Sequence, residues 1–143
     1  MNTPTCELLD ELQLPLVNKF YKRCRYSAKA GRGEKVYVLR DQSGIVAAVR
    51  LEPKPQGYYF LRSMCVDPAL RRQGLGAQLL KALTPLLEQT RCYCYPFDHL
   101  QAFYAEAGFE QVPSETMPDF IRDGLLRYRA QGRKILLMVR PPA

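Results

Sequence analysis

The sequence predicts a mixed α/β sheet with helices packed around it, in one domain spanning residues 1–143. Three observations carry that reading. Apolar runs of strand character alternate with segments of helical spacing along the chain. A length of 143 residues allows one real core and is too short for two ordinary domains. Hydrophobic residues make up 47% of the chain and no long polar run interrupts them, which excludes global disorder.

In chain order, a short strand is expected near Thr5 to Leu9. "LPLVNKFYKRCRY" places Val17, Phe20, Tyr21 and Cys24 at helical spacing, with Pro15 suited to a first turn. "KVYVLRDQSGIVAAVRL" reads as strands over Lys35–Arg40 and Ile45–Leu51, joined by the turn residues Asp41 to Gly44. "EPKPQG" interrupts regular structure, and "YYFLRSMCV" (Tyr58 to Val66) is a third strand whose poor alternation predicts burial on both faces. A helix follows from about Leu75 to Gln89, with Leu75, Leu79, Leu83 and Leu86 as its inner stripe. Pro85 removes a backbone hydrogen bond inside it and predicts a kink or an early end. "RCYCY" is a short strand closed by Pro96. Asp98 and Gln101 have capping-box spacing for a helix to Ala107, which Gly108 stops. "FEQVP" is another short strand, Pro118 opens a last helix that Gly132 closes, and "KILLMV" is the final strand.

The formal net charge of +7 points to a polyanionic partner: nucleic acid, an anionic membrane, or a phosphate-bearing small molecule. No RNA-binding aromatic signature or repeated basic helix is present, so nucleic acid is not expected. No apolar run approaches a membrane span, and the acidic start "MNTPTCELLDELQ" lacks the pattern of a signal peptide. Cys6, Cys24, Cys65, Cys92 and Cys94 are an odd set, which fits reduced thiols and a cytoplasmic location. Cys92 and Cys94 share one face of a strand. With a single histidine in the chain they make a poor metal site, and no metal is expected.

The stretch "VDPALRRQGLGAQLL" carries the chemistry. A loop entering a helix start gathers unpaired N–H groups, and the helix dipole adds partial positive charge there. A phosphate or pyrophosphate fits at such a place if no side chain intervenes. Gly74, Gly76 and Ala77 clear the side chains, while Arg71 and Arg72 supply fork-shaped donors. A dinucleotide-binding turn would need a third small residue where Leu79 stands, and a nucleotide P-loop would need Gly-Lys-Ser/Thr where Gly76-Ala77-Gln78 stands.

Arg71-x-x-Gly74-x-Gly76, after a strand ending Val66-Asp67-Pro68, resembles the acyl-CoA signature of the GNAT superfamily of N-acetyltransferases. "FYAEAGFEQV", Phe103 to Val112, resembles that superfamily's second signature, and the order of elements from Lys35 to Val112 is also similar. The resemblance implies a mostly antiparallel central sheet, splayed where an acyl-CoA enters. It implies a coenzyme A pyrophosphate on the amides of Arg71, Arg72, Gln73, Gly74, Leu75 and Gly76, with Ala77. The pantetheine arm would then run beside Met64, Cys65 and Val66, and Tyr104 would take the position of the proton donor to the departing thiolate. The implied activity is direct transfer of an acetyl group from acetyl-CoA to a primary amine, with a small-molecule acceptor favoured because no peptide-binding insertion is recognisable.

Each residue also has a plain structural reading. Leu100, Phe103, Tyr104 and Ala107 form an apolar helical stripe, so spacing alone makes Tyr104 a core residue. His99 titrates in a useful range yet sits beside the proposed cap, and Glu52 ends a strand near the acceptor side; neither is assigned as a general base. Arg62 either pairs with a carboxylate in the cleft or points outward, and Arg122, Arg127, Arg129 and Arg133 read as a solvated basic face. "PSETMPDFIRDGLLRYRAQGRK" departs from the commonest superfamily pattern before the last strand. A non-catalytic acyl-CoA-binding or regulatory domain of the same fold is the alternative, and nothing in the sequence argues against a homodimer.

Overall fold

The structure is a computed structural model and describes residues 3–143. Its elements are β1 (Thr5–Leu8), α1 (Leu14–Arg23), β2 (Lys35–Asp41), β3 (Gly44–Pro53), β4 (Tyr58–Val66), α2 (Leu75–Ala82), α3 (Thr84–Leu87), β5 (Arg91–Cys94), α4 (Gln101–Glu106), β6 (Glu110–Gln111), α5 (Asp119–Ala130) and β7 (Met138–Arg140). The strands form one sheet in the order β1-β2-β3-β4-β5-β7-β6. Every neighbouring pair is antiparallel except β4 and β5, which run parallel.

Alternation along the strands sends side chains to two faces. On one face α1 buries Val17, Phe20 and Tyr21 against Val36, Val38, Ala48 and Cys65. Further along that face α5 places Ile121 and Leu125 against Tyr58, Phe60 and Tyr93. On the opposite face α2 buries Leu75, Leu79 and Leu80 against Leu39, Val49, Leu51, Leu61, Cys92 and Cys94. Cys92 and Cys94 do share a face, and both are free thiols inside the core. Burial pushes the Cys92 thiol up to about 12, which keeps it protonated.

Several local expectations need correction. Pro85 ends α2 early, and the chain restarts as the one-turn α3 with Pro85 in its first turn. The phase change puts Leu87, not Leu86, in the fully buried stripe. Asp98 caps nothing: a single 3-10 turn over Asp98–Leu100 precedes α4, and Gln101 reaches Gln111 instead. A capping box does form at Asp10 and Gln13, just before α1. "KILLMV" pairs as a strand only from Met138, with an isolated bridge from Ile135 to Phe97. "FEQVP" contributes only Glu110 and Gln111.

Gly124 sits inside α5, where glycine costs about 1 kcal/mol relative to alanine. The reason is Tyr95, whose hydroxyl donates to the Ile121 carbonyl at 2.7 Å. A Cβ on Gly124 would lie 2.5 Å from that hydroxyl. Gly124→Ala is therefore expected to destabilise the protein by about 1–3 kcal/mol despite its better helix propensity, read as a lower midpoint in urea unfolding.

Candidate functional site

Pairing between β4 and β5 covers only Tyr58 to Phe60 against Arg91 to Tyr93. From Leu61 to Val66, β4 is paired on its β3 side alone among the described residues, so the sheet opens into a gap. Opposite that gap the β3–β4 register shifts. Ala48 faces Cys65 and Arg50 faces Arg62, leaving Val49 on β3 across from two residues, Ser63 and Met64, on β4. This is a β-bulge, with Ser63 in the left-handed region at φ 59°.

Three side chains hold the bulge. The Tyr21 hydroxyl donates to the Ser63 carbonyl at 2.8 Å, and Arg50 donates from Nη1 to Ser63 Oγ at 3.1 Å. Arg50 is itself fixed by two bonds to Glu34, at 2.7 and 2.9 Å, and both side chains of the pair are about nine-tenths buried. Burial and the paired carboxylate act on Arg50 in opposite senses, and the pairing prevails, so the guanidinium stays charged.

At the far end of β4 the chain turns through Asp67, whose carboxylate accepts from Ala69 N at 3.0 Å and pairs with Arg23 at 2.8 Å. The Arg23 hydrogen bond, then the Ala69 amide, hold the Asp67 carboxyl below its ordinary value. Arg72 (φ 67°) and Gly74 (φ 78°) are both left-handed, which turns the chain sharply between β4 and α2. Gly74 is the residue before α2, with open space where a Cβ would stand. Arg71, Arg72, Gln73, Gly74 and Ala77 are exposed, while Leu75 is anchored in the core. Gly76 has a reason the sequence did not suggest: a Cβ there would stand 3.2 Å from Phe103 Cζ, so α4 packs directly on the helix start.

Met64 and Val66 pack toward α2, on the side of the glycine turn. The Cys65 side chain points the other way, buried against α1, and burial followed by the neighbouring Cys24 pushes its thiol up to about 12. Only its backbone faces the gap, and the thiol is no nucleophile. Tyr104 lies on the α2 face, its ring edge-on to Phe103 at 5.0 Å and Phe109 at 5.9 Å. Burial raises its phenol well above the ordinary range, so the hydroxyl stays protonated.

The opposite face of the gap holds a cavity of about 370 Å³, bounded by β4, β5 and α5. Phe60 and Tyr93 stack at 5.0 Å on its floor, at the last paired position before the strands part. Arg62 pairs with Glu52 at 3.2 Å while Lys54 holds the other carboxylate oxygen at 3.1 Å. Burial alone would raise Glu52, but these two cations outweigh it and hold the carboxyl below its usual value, which makes it a poor base. His99 is exposed, stacked on Phe97 and outside both the gap and the cavity lining. The basic face expected on the last helix divides: Arg122 binds Met117 O and Asp119, Arg129 binds Ile135 O, and Arg127 lines the cavity.

Glu34, Arg50 and Ser63 are not singled out by the sequence, and Tyr21 reads there only as part of a helical stripe. The available signal was Arg50 itself, a lone charge within "GIVAAVRL" that has to be paired if the strand is buried.

Residues 32–111, more than half of the chain, match the model of the acetyltransferase (GNAT) domain family. No curated protein sequence matches. Among solved structures, the N-acetylglutamate synthase of Neisseria gonorrhoeae, complexed with coenzyme A and L-arginine, superposes with TM-score 0.71 at 14% identity over 99% of this chain. This chain spans only 34% of that protein's length. The ribosomal-protein-S18-alanine N-acetyltransferase of Escherichia coli superposes with TM-score 0.70 at 19% identity, over 99% of this chain and 95% of that one. Escherichia coli ElaA does so with TM-score 0.68 at 17% identity, over 97% and 100% respectively.

The bulge network makes a direct stability claim. Arg50→Met strands the Glu34 carboxylate in the interior and is expected to cost about 3–5 kcal/mol in denaturant unfolding. Adding Glu34→Leu removes the stranded charge and should recover about half of that loss; equal costs for the single and double variants would contradict the pairing.

Proposed function

The chain belongs to the GNAT acetyltransferase family, and from that premise we propose that it is an N-acetyltransferase moving an acetyl group from acetyl-CoA to a primary amine. The observation that carries this reading is the gap between β4 and β5 with the glycine turn at its mouth. A diphosphate on the amides of Arg71 to Ala77 sends a pantetheine arm into the gap beside Met64, Cys65 and Val66. That strand edge is short of partners, so its backbone groups can pair with the amides of the arm as a further strand would.

In the transfer, the neutral amine nitrogen attacks the thioester carbonyl, an N–C bond forms and the C–S bond breaks. The nitrogen loses one proton to water, and the sulfur leaves as a thiolate that takes up one proton. A bulge that turns unpaired amides toward the carbonyl supplies donors for the oxyanion. Tyr104, protonated throughout the working pH range, donates to the sulfur as charge builds on it. A covalent cysteine intermediate has no place here, because Cys65 Sγ points into the α1 core.

Tyr104→Phe is expected to lower kcat by about 100-fold while the KM for acetyl-CoA stays within about twofold, measured by release of free coenzyme A thiol. An unchanged kcat would return Tyr104 to a packing role. Gly74→Val, which forces a β-branched residue to φ 78°, should weaken coenzyme A binding by about tenfold or more in calorimetry while far-UV circular dichroism stays the same. Tight coenzyme A binding by the unmodified protein with no turnover on any amine would instead favour a non-catalytic acyl-CoA-binding domain.

A further inference from the structure

Building on the acetyltransferase reading, we propose that the cavity between β4, β5 and α5 is the acceptor site and that it selects a primary amine bearing a carboxylate, of the amino-acid type. Tyr93 on β5 and Tyr95 just past its end line this cavity, whereas Cys92 and Cys94, which alternate with them along the chain, face α2 and Tyr104. The cavity therefore lies across the sheet from the glycine turn, on the side a cofactor entering from that turn leaves free. Its floor ends at Phe60 and Tyr93, the last pair before β4 and β5 separate, so it opens onto the gap where a thioester would lie.

The lining then narrows the chemistry. Lys54, Arg62 and Arg127 line the cavity, and Arg133 lies over the ring of Tyr128, another lining residue, at 4.9 Å. Against these four cations stand Glu52, already shared by Lys54 and Arg62, and Asp123 on the exposed side of α5. Aromatic rings support the excess positive charge in part: Arg62 lies 5.1 Å from the Phe60 ring centroid and Arg127 lies 5.6 Å from that of Tyr128. Such a lining attracts a carboxylate and holds it in the fork of an arginine. It also disfavours a nearby ammonium, which shifts an arriving amine toward the neutral, nucleophilic form. A polyamine or a lysine-rich peptide would add positive charge to a site with a surplus of it. The walls of Phe60, Tyr93, Tyr95, Phe120 and Tyr128 suit an apolar body between the two polar ends.

The test is an acetyl-CoA turnover assay on the full chain, with the twenty protein amino acids, their carboxamides, spermidine and a lysine-containing peptide as acceptors. At least one free amino acid is expected to exceed its own carboxamide by about 100-fold in kcat/KM, because the amide cannot engage a guanidinium as an ion. Arg127→Gln should narrow that preference by about tenfold or more, through KM for the amino acid, with coenzyme A affinity unmoved. Equal use of acids and amides, or preference for spermidine or the peptide, would overturn this assignment and leave the acetyltransferase reading standing. Coenzyme A binding without transfer to any of these amines would overturn both.

Discussion

The bonds from Tyr21 and Arg50 to Ser63 hold β4 in a shape that an ordinary strand does not take. A left-handed serine costs about 1–2 kcal/mol, and each of these two hydrogen bonds returns about 1. The bulge is thus close to neutral for stability, and its consequence is geometric. One extra residue on β4 bends the strand away from β5, and parallel pairing stops at Phe60. The Glu34–Arg50 pair belongs to the same device. A bidentate guanidinium fixed by a carboxylate delivers its remaining donor to Ser63 Oγ along one direction only.

Once the strands part, the two faces of the sheet acquire different chemistry. On the α2 face Met64, Val66, Phe103 and Tyr104 belong to one apolar cluster, with Val66 and Phe103 against Gly76 at the glycine turn. On the α5 face it is walled by stacked rings carrying cations. The proposed cofactor has a polyanionic end and a long, weakly polar arm, which the first face suits. The proposed acceptor needs a short approach to one carbonyl and an anchor for its other end, which the second face suits. Adjacent residues at the end of β5 serve opposite sides: Cys94 packs with Tyr104, and Tyr95, the next residue, supports α5 through Ile121 and excludes any side chain at position 124.

Much of this was legible in the sequence, for identifiable reasons. The glycine turn is readable as a strand-to-helix connection because a left-handed residue before a helix favours glycine, which Gly74 supplies. The core helices and strands followed from periodicity, with Pro85 correctly marking where α2 fails. The bulge was unreadable because nothing local requires it: Ser63 is unremarkable in isolation, and its supports lie 42 residues away at Tyr21 and 13 away at Arg50. The capping spacing at Asp98 goes unused because the turn over Asp98–Leu100 bonds the Leu100 and Gln101 amides to the Phe97 and Asp98 carbonyls, leaving neither for the aspartate side chain. Sequence pattern assigns Gly76 to an anion, while the structure gives it a packing reason in Phe103, a contact between segments that no spacing rule links.

Backbone strain is distributed in a way that supports one site rather than several. Among the described residues, four other than glycine have positive φ: Arg25, Gln56, Ser63 and Arg72. Ser63 forms the bulge and Arg72 curls the glycine turn, so two of them shape the gap and its mouth. Arg25 directs the chain into Tyr26, whose ring packs 5.6 Å from that of Tyr21, a support of the bulge. Gln56 shapes the turn after Lys54 and Pro55, both of which line the aromatic cavity. Each such conformation costs on the order of 1 kcal/mol and persists only where surrounding structure enforces it. Strain scattered at random would fall on any loop, including the long connection from β6 to α5. Here two of the four shape the gap and its mouth, and the other two adjoin a support of the bulge and the cavity lining, the pattern expected if the proposed cofactor and acceptor meet there in a fixed geometry.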